Sequence, residues 1–183
     1  MLGLWILLGI VAVIIITFFV YYNRFTRLSN RIDNSLSQID VQLKRRTDLI
    51  PNLMESVKGY MKHEKSIMKS VTDARKALIA AKDLPAKMKA NNQMEGFLGK
   101  LFALAENYPD LKANANFLEL QRELATTEDR VAYARQHYND SILSYNNSVK
   151  LMPGRFFAGL YDFKVKEYIK IAEAEKKVVK VKF

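Results

Sequence analysis

Apolar and polar positions follow two different patterns along this chain. From Leu2 to Tyr22 no side chain is charged, and the run LWILLGIVAVIIITFFVYY is about as long as the roughly 20 residues a helix needs to cross hydrocarbon. Beyond Arg24 the apolar residues become periodic. Leu28, Ile32, Leu36, Ile39 and Leu43 recur at steps of three and four, so a first amphipathic helix is expected to leave the apolar run without a break, as a stalk. Thr47 or Asp48 is placed to cap a second helix with Pro51 in its first turn, where a missing N–H is tolerated. Along that helix Leu53, Val57, Tyr60, Glu64, Ile67, Val71, Ala74 and Leu78 read as a coiled-coil-like seam that includes a carboxylate. Pro85 starts a third helix carrying Met88, Phe97, Leu98, Leu101 and Leu104, which ends before Asn107-Tyr108-Pro109-Asp110. A fourth sets Phe117, Leu124, Val131, Tyr138 and Tyr145 at strict sevens, with Leu120, Thr127 and Ala134 between, and Pro153-Gly154 stops it.

These elements predict an all-α chain: an N-terminal transmembrane helix continuing into a long-helix antiparallel four-helix bundle with coiled-coil-like packing. The expected divisions are a transmembrane anchor over 1–23, a bundle over 24–152 and an aromatic and basic segment over 153–183. The sustained sevens imply a left-handed crossing of the second and fourth helices. With a break near Thr47 the first helix projects about 35 Å while the second is about 50 Å long, so the second must tilt, bend near Gly59, or meet the bilayer.

Composition adds charge to this picture. Lys and Arg outnumber Asp and Glu by 29 to 19, for a net +10. That balance suits anionic partners, whether lipid headgroups, nucleic acid or an acidic protein. The mean hydropathy of −0.13 is an average over two different solvents. With no cysteine there is neither a disulfide framework nor a thiolate metal site. A cleavable signal peptide is the competing reading of the N-terminus, but no basic segment precedes the apolar run and no A-x-A site follows it. Trp5 at one end and Tyr21 and Tyr22 at the other suit the two membrane interfaces, and Arg24, Arg27 and Arg31 follow the span closely. By the positive-inside rule the expected topology is single-pass in the inner cell membrane, with the N-terminus outside and the C-terminal domain cytoplasmic.

Two blocks of the sequence, YNRFTRLSNRIDNSLSQIDVQLKRRTDLIPNLMESVKGYMKHE and YPDLKANANFLELQRELATTEDRVAYARQHYND, resemble the LemA family of bacteria, as do GRFFAGLYDFK and the final Phe183. The resemblance covers nearly the whole chain and is most specific in IDVQLKRR, DLIPNL and YPDLKAN. It implies an N-terminal membrane anchor, a cytoplasmic antiparallel helical bundle and no established enzymatic activity. The tail KKVVKVKF is more basic than the family's usual ending.

Candidate chemistry is sparse. A di-metal bundle site wants Glu-x-x-His pairs from facing helices, whereas Tyr60 stands three before His63 and Ala134 three before His137. There is no Gly-rich phosphate loop and no nucleophile elbow, so neither catalysis nor a cofactor nor a small-molecule substrate is expected. Asp33, Asp40, Glu64, Arg135 and Asn139 read as an interhelical polar network, with Asn30, Gln38, Arg45 and Arg46 as further members. Lys58, Lys62, Lys65, Lys69 and Lys76 fall on one stripe of the second helix, either a solvated face or a contact for anionic lipid or a neighbouring copy. Phe156, Phe157, Leu160, Tyr161 and Phe163, bordered by Arg155, Lys164 and Lys166, form either a short interfacial helix or a cap on the bundle core. Lys170, Lys176, Lys177, Lys180 and Lys182 lie behind them.

The expected function is that of a noncatalytic membrane-surface scaffold that self-associates, or an adaptor for another membrane or envelope protein. Its partners are the bilayer and further copies of itself, with no nucleic acid, since no recognition motif is visible. If the sevens of the fourth helix face a core, Leu124→Asp or Val131→Asp buries an unpaired carboxylate. Each should then cost several kcal/mol in chemical denaturation.

Overall fold

A computed structural model describes residues 1–169; the lysines at 170, 176, 177, 180 and 182 and the terminal Phe183 lie outside the described residues. Within them the chain is all-helical: α1 (Leu2–Lys58), α2 (Lys65–Ala80), α3 (Leu84–Ala105), α4 (Pro109–Lys112), α5 (Ala115–Lys150) and α6 (Gly154–Leu160). The long apolar N-terminal helix and the long helices expected from the sequence are present, with one boundary displaced.

The expected break at Thr47 and Asp48 does not exist, because α1 runs through it for 57 residues. Its buried face explains why. Phe25, Ile32, Ile39, Arg46 and Leu53 are buried at intervals of seven, and Leu43, Ile50 and Val57 form a second buried row beside them. A break near Thr47 would interrupt both rows, whereas Pro51 lies on the exposed side and leaves them intact. Proline still removes one backbone donor, the N–H that would bond to the carbonyl of Thr47. Arg75 of α2 replaces it, donating from Nε to that same oxygen at 2.7 Å.

The chain turns instead at Gly59–Glu64. Glycine is the poorest helix former after proline, and the Val57 carbonyl closes the end by accepting from both Tyr60 N (3.0 Å) and Met61 N (2.9 Å). Tyr60 and Glu64 therefore leave the seam expected of them. Tyr60 is exposed, and the half-buried Glu64 accepts a hydrogen bond from the Tyr108 hydroxyl. The later boundaries match local chemistry. Asp83 caps α3 by accepting from Ala86 N at 2.7 Å, with Pro85 in the first turn. Asn114 accepts from Phe117 N at 3.1 Å where α5 begins.

The chain divides into two compact units, Ser37–Ala134 and the pair Met1–Leu36 with Arg135–Phe183. In the first, polar contacts fix the direction of each helical segment. Arg45 reaches Glu123 at 3.2 Å and Asn114 reaches the Tyr60 hydroxyl at 3.3 Å, so α1 and α5 run antiparallel. Asp40 with Lys87 and Arg46 with Asn91 show α3 parallel to α1. The Thr47–Arg75 bond joins α2 to α1, and Leu78 and Ile79 of α2 line a concavity with Leu43 and Lys44 of α1, the order of an antiparallel pair. Leu53, Val71, Leu78, Leu101, Leu124 and Val131 are among its buried residues.

In the second unit Phe25, Ile32, Ile142, Tyr145, Val149, Phe157 and Ala158 form one buried cluster. Ser35 and Ser141 meet within it at 3.1 Å, and His137 Nδ1 lies 3.0 Å from the Ser35 hydroxyl.

The proline repair has a testable signature. Arg75→Met should orphan the Thr47 carbonyl at a cost of about 1–3 kcal/mol, and Pro51→Ala, which restores the backbone donor, should recover much of that loss. Strictly additive effects in a double-mutant cycle followed by thermal unfolding would show that Arg75 does not stand in for the missing N–H.

Candidate membrane-interface site

The C-terminal end of α5 redirects the chain onto α1. Pro153-Gly154 halts the helix, and Arg155 N bonds back to Leu151 O at 2.8 Å. Gly154 is buried so close to the Ser148 carbonyl that a Cβ would be driven into that oxygen, so only glycine fits. The seven residues of α6 that follow then lie against the end of the apolar run.

The aromatic residues divide between two faces. Phe157 stacks on Tyr21 with centroids 4.5 Å apart and meets Phe18 edge-on at 5.3 Å. The Tyr161 hydroxyl donates to the Phe18 carbonyl at 2.9 Å, and Phe163 packs on Phe25 at 5.1 Å. Such ring pairs contribute about 0.5–1.5 kcal/mol beyond area burial. Phe156 and Leu160 point the other way, 59% and 54% exposed, and Leu151 and Met152 beside them are exposed as well. An apolar concavity of about 530 Å³ lies between Tyr161 and the α1 residues Ile14, Ile15, Phe18, Phe19 and Tyr22.

The apolar stretch of α1 is long and hydrophobic enough to cross a membrane, and none of it is buried. Large contiguous apolar surfaces of this kind mark membrane or protein contacts. Arg24, Arg27 and Arg31 are exposed just beyond it.

The other predicted residues are distributed through the fold. Lys58 ends α1, Lys62 lies in the turn, and Lys65, Lys69 and Lys76 are on α2, so they do not form a stripe on a single helix. All five are exposed. Lys58 sits 3.8 Å from Glu55 and Lys76 3.8 Å from Asp73, surface pairs of little energetic weight. Asp40 pairs with Lys87 at 2.7 Å. Asp33 and Arg135 both have partners, and Asp33 adds its charge to the burial that raises the Tyr138 pKa. Asn139 does not link helices. Both its amide groups bond to the backbone of Ile169.

Among the described residues Arg46 is the most deeply buried charge. It is 1% exposed, with its guanidinium on Asn91 Oδ1 at 3.0 Å and on Glu128 at 3.5 Å. Burial lowers its pKa, against the opposing pull of Glu128 and Glu95. Its place in the row of sevens carried this signal in the sequence, but a charged residue there is normally assigned to the surface. Among the described residues no group of three His, Cys, Asp or Glu side chains is placed to hold a metal ion.

Fold and site together define a helical-bundle protein built on a helix of membrane-spanning length and apolarity. The model of the LemA family matches residues 35–183, and the chain belongs to that family. It is 31% identical over 140 residues to Protein LemA of Metamycoplasma hominis, an alignment covering 73% of this chain and 63% of that protein. It is also 26% identical over 184 residues to Magnetosome protein MamQ 2 of Paramagnetospirillum magneticum, covering 86% and 68%. Over 180 residues it is 26% identical to Magnetosome protein MamQ of Magnetospirillum gryphiswaldense, covering 84% and 66%. The chain thus spans about two thirds of the length of these curated relatives, between 63% and 68%.

The close approach at Gly154 sets up an internal comparison with Gly159, where a Cβ meets open space. Gly154→Ala should lower stability by about 1–3 kcal/mol through overpacking. Gly159→Ala should be neutral or stabilising by up to about 1 kcal/mol. Thermal unfolding of the detergent-solubilised protein would reveal an error in the α5–α6 turn if the two variants behaved alike.

Proposed function

We propose that this protein is a noncatalytic membrane-surface scaffold that crosses the inner cell membrane once through α1 and self-associates laterally through its helical bundle. The observation that carries the membrane part is the apolar stretch of α1, exposed up to the end where α6 packs on Phe18 and Tyr21, which continues as one helix to Lys58. Arg24, Arg27 and Arg31 immediately beyond the stretch favour a cytoplasmic bundle with the N-terminus outside. The exposed Phe156 and Leu160, with Arg155 and Lys164 nearby in sequence, suit the depth of the lipid headgroups.

Self-association draws support from one face of the Ser37–Ala134 unit. A concavity of about 440 Å³ there is lined by the apolar Leu43, Leu78 and Ile79 and by cations and anions together, among them Lys44, Asp48 and Arg75. A face carrying both signs of charge can complement a copy of itself, as an isologous interface requires. The exposed lysines from Lys58 to Lys76 are available to an anionic lipid or to an acidic face of a neighbouring copy. An adaptor that binds another membrane or envelope protein is the second reading, since the same face also suits a different partner.

The noncatalytic reading draws support from the environment of one hydroxyl–imidazole pair among the described residues, Ser35 beside His137. Ser35 is fully buried, and its hydroxyl also donates to the Arg31 carbonyl at 2.8 Å. A substrate has no access to it.

Size analysis in mild detergent should give a multiple of the protomer mass, and a monodisperse protomer would leave only the adaptor. In whole cells a cysteine introduced near Phe183 should resist an impermeant thiol reagent. Ready labelling there would reverse the topology.

A further inference from the structure

The segment after α6 is held in an unusual way. Asn146 Nδ2 donates to the Lys166 carbonyl at 2.9 Å, and its Oδ1 accepts from Lys166 N at 2.9 Å. Asn139 repeats the arrangement on Ile169, with Nδ2 on the carbonyl at 3.3 Å and Oδ1 on the amide at 3.0 Å. Each carboxamide therefore binds both polar groups of one peptide unit position, as a neighbouring β-strand would, and it does so without reading the side chain.

The spacing explains why two such clamps work together. Asn139 and Asn146 are seven residues apart on α5, a rise of about 10.5 Å. Lys166 and Ile169 are three residues apart, and three residues of extended chain cover about 10 Å. The ladder therefore fits a strand running antiparallel to the helix. Lys166 is also held through its side chain, the ammonium bonding to Ser29 Oγ at 3.0 Å and lying 5.3 Å from the centre of the Tyr145 ring. The neighbours Val165 and Tyr168 remain 52% and 45% exposed. Backbone hydrogen bonds and one cation hold this strap, with little apolar burial, so releasing it is inexpensive compared with opening the core.

We infer that Asn139 and Asn146 form a peptide-backbone clamp that, in the assembled protein, takes the Lys166–Ile169 strand of a second copy. A second copy supplies the required strand, with a lysine in register over Tyr145, and exchange of identical elements is a low-cost route to association. Every bond made within one chain is made again between two, so the intrachain geometry is the template for the interchain one. The inference rests on the self-association proposed above and adds a second contact, in the unit that carries Arg135–Phe183, to the face described there.

Two differently tagged full-length copies, co-expressed and purified in mild detergent, would carry a photocrosslinking amino acid in place of Tyr168. Irradiation should give adducts between the two tags that map to α5 around Asn139. They should fall severalfold in the Asn139→Leu/Asn146→Leu variant, and in the parent protein with excess synthetic peptide of residues 163–169. The same peptide with Lys166→Glu should not compete. If adducts form only within one tag while size analysis still shows an oligomer, strap exchange is wrong and the scaffold stands. A protomer-sized species with intrachain adducts alone overturns both, and an adduct to an unrelated protein assigns the clamp to an adaptor instead.

Discussion

The structure depends on a constraint within α1: two rows of buried side chains at intervals of seven must stay on one face of a single helix. Phe25, Ile32, Ile39, Arg46 and Leu53 make up one row. A turn near Thr47 would rotate Ile50, Leu53 and Val57 out of the core of the Ser37–Ala134 unit, so continuity of the helix outweighs the local preference of Pro51 to begin a new one. The cost of keeping the helix is an unpaired carbonyl at Thr47, and Arg75 from the next helix satisfies it. The defect thus becomes a point of attachment for α2.

Buried polarity follows a similar logic elsewhere. Arg46 occupies a core position in the row, and its two terminal nitrogens are met by Asn91 from α3 and Glu128 from α5, while its Nε is buried without a hydrogen-bond partner. An apolar side chain there would pack as well, since buried ion pairs seldom add net stability. A guanidinium with fixed partners does, however, distinguish the correct register from one shifted by a residue, because a shift would leave the charge buried and unmatched. Ser35, Ser141 and His137 provide a second matched polar contact in the unit that carries the apolar run.

At the end of the apolar run, α6 presents two surfaces of different character. Phe157 and Tyr161 bind it to α1, while Phe156 and Leu160 are left outward. Membership of the LemA family is matched over residues 35–183 and does not extend over the apolar run. It leaves the chemistry of association to be argued from the faces and clamps themselves, because fold alone does not specify function.

By itself the sequence determined what depends on local pattern. Uninterrupted apolar length marked the helix fit to cross a membrane, Pro85 and Pro153-Gly154 marked a start and a stop, and the sevens of α5 marked Leu124 and Val131 as core. What it could not supply were features whose stabilising partner lies far along the chain. Local chemistry placed a helix start at Thr47, because the donor that lets the helix continue is 28 residues away in Arg75. Glu64 read as a seam residue because only the fold sets Tyr108 beside it. Asn139 read as a link between helices, yet its amide matches the peptide backbone of a segment 30 residues later. Periodicity records which face of an element is buried. Which distant group satisfies a particular carbonyl, charge or amide is decided only when tertiary packing brings the two together.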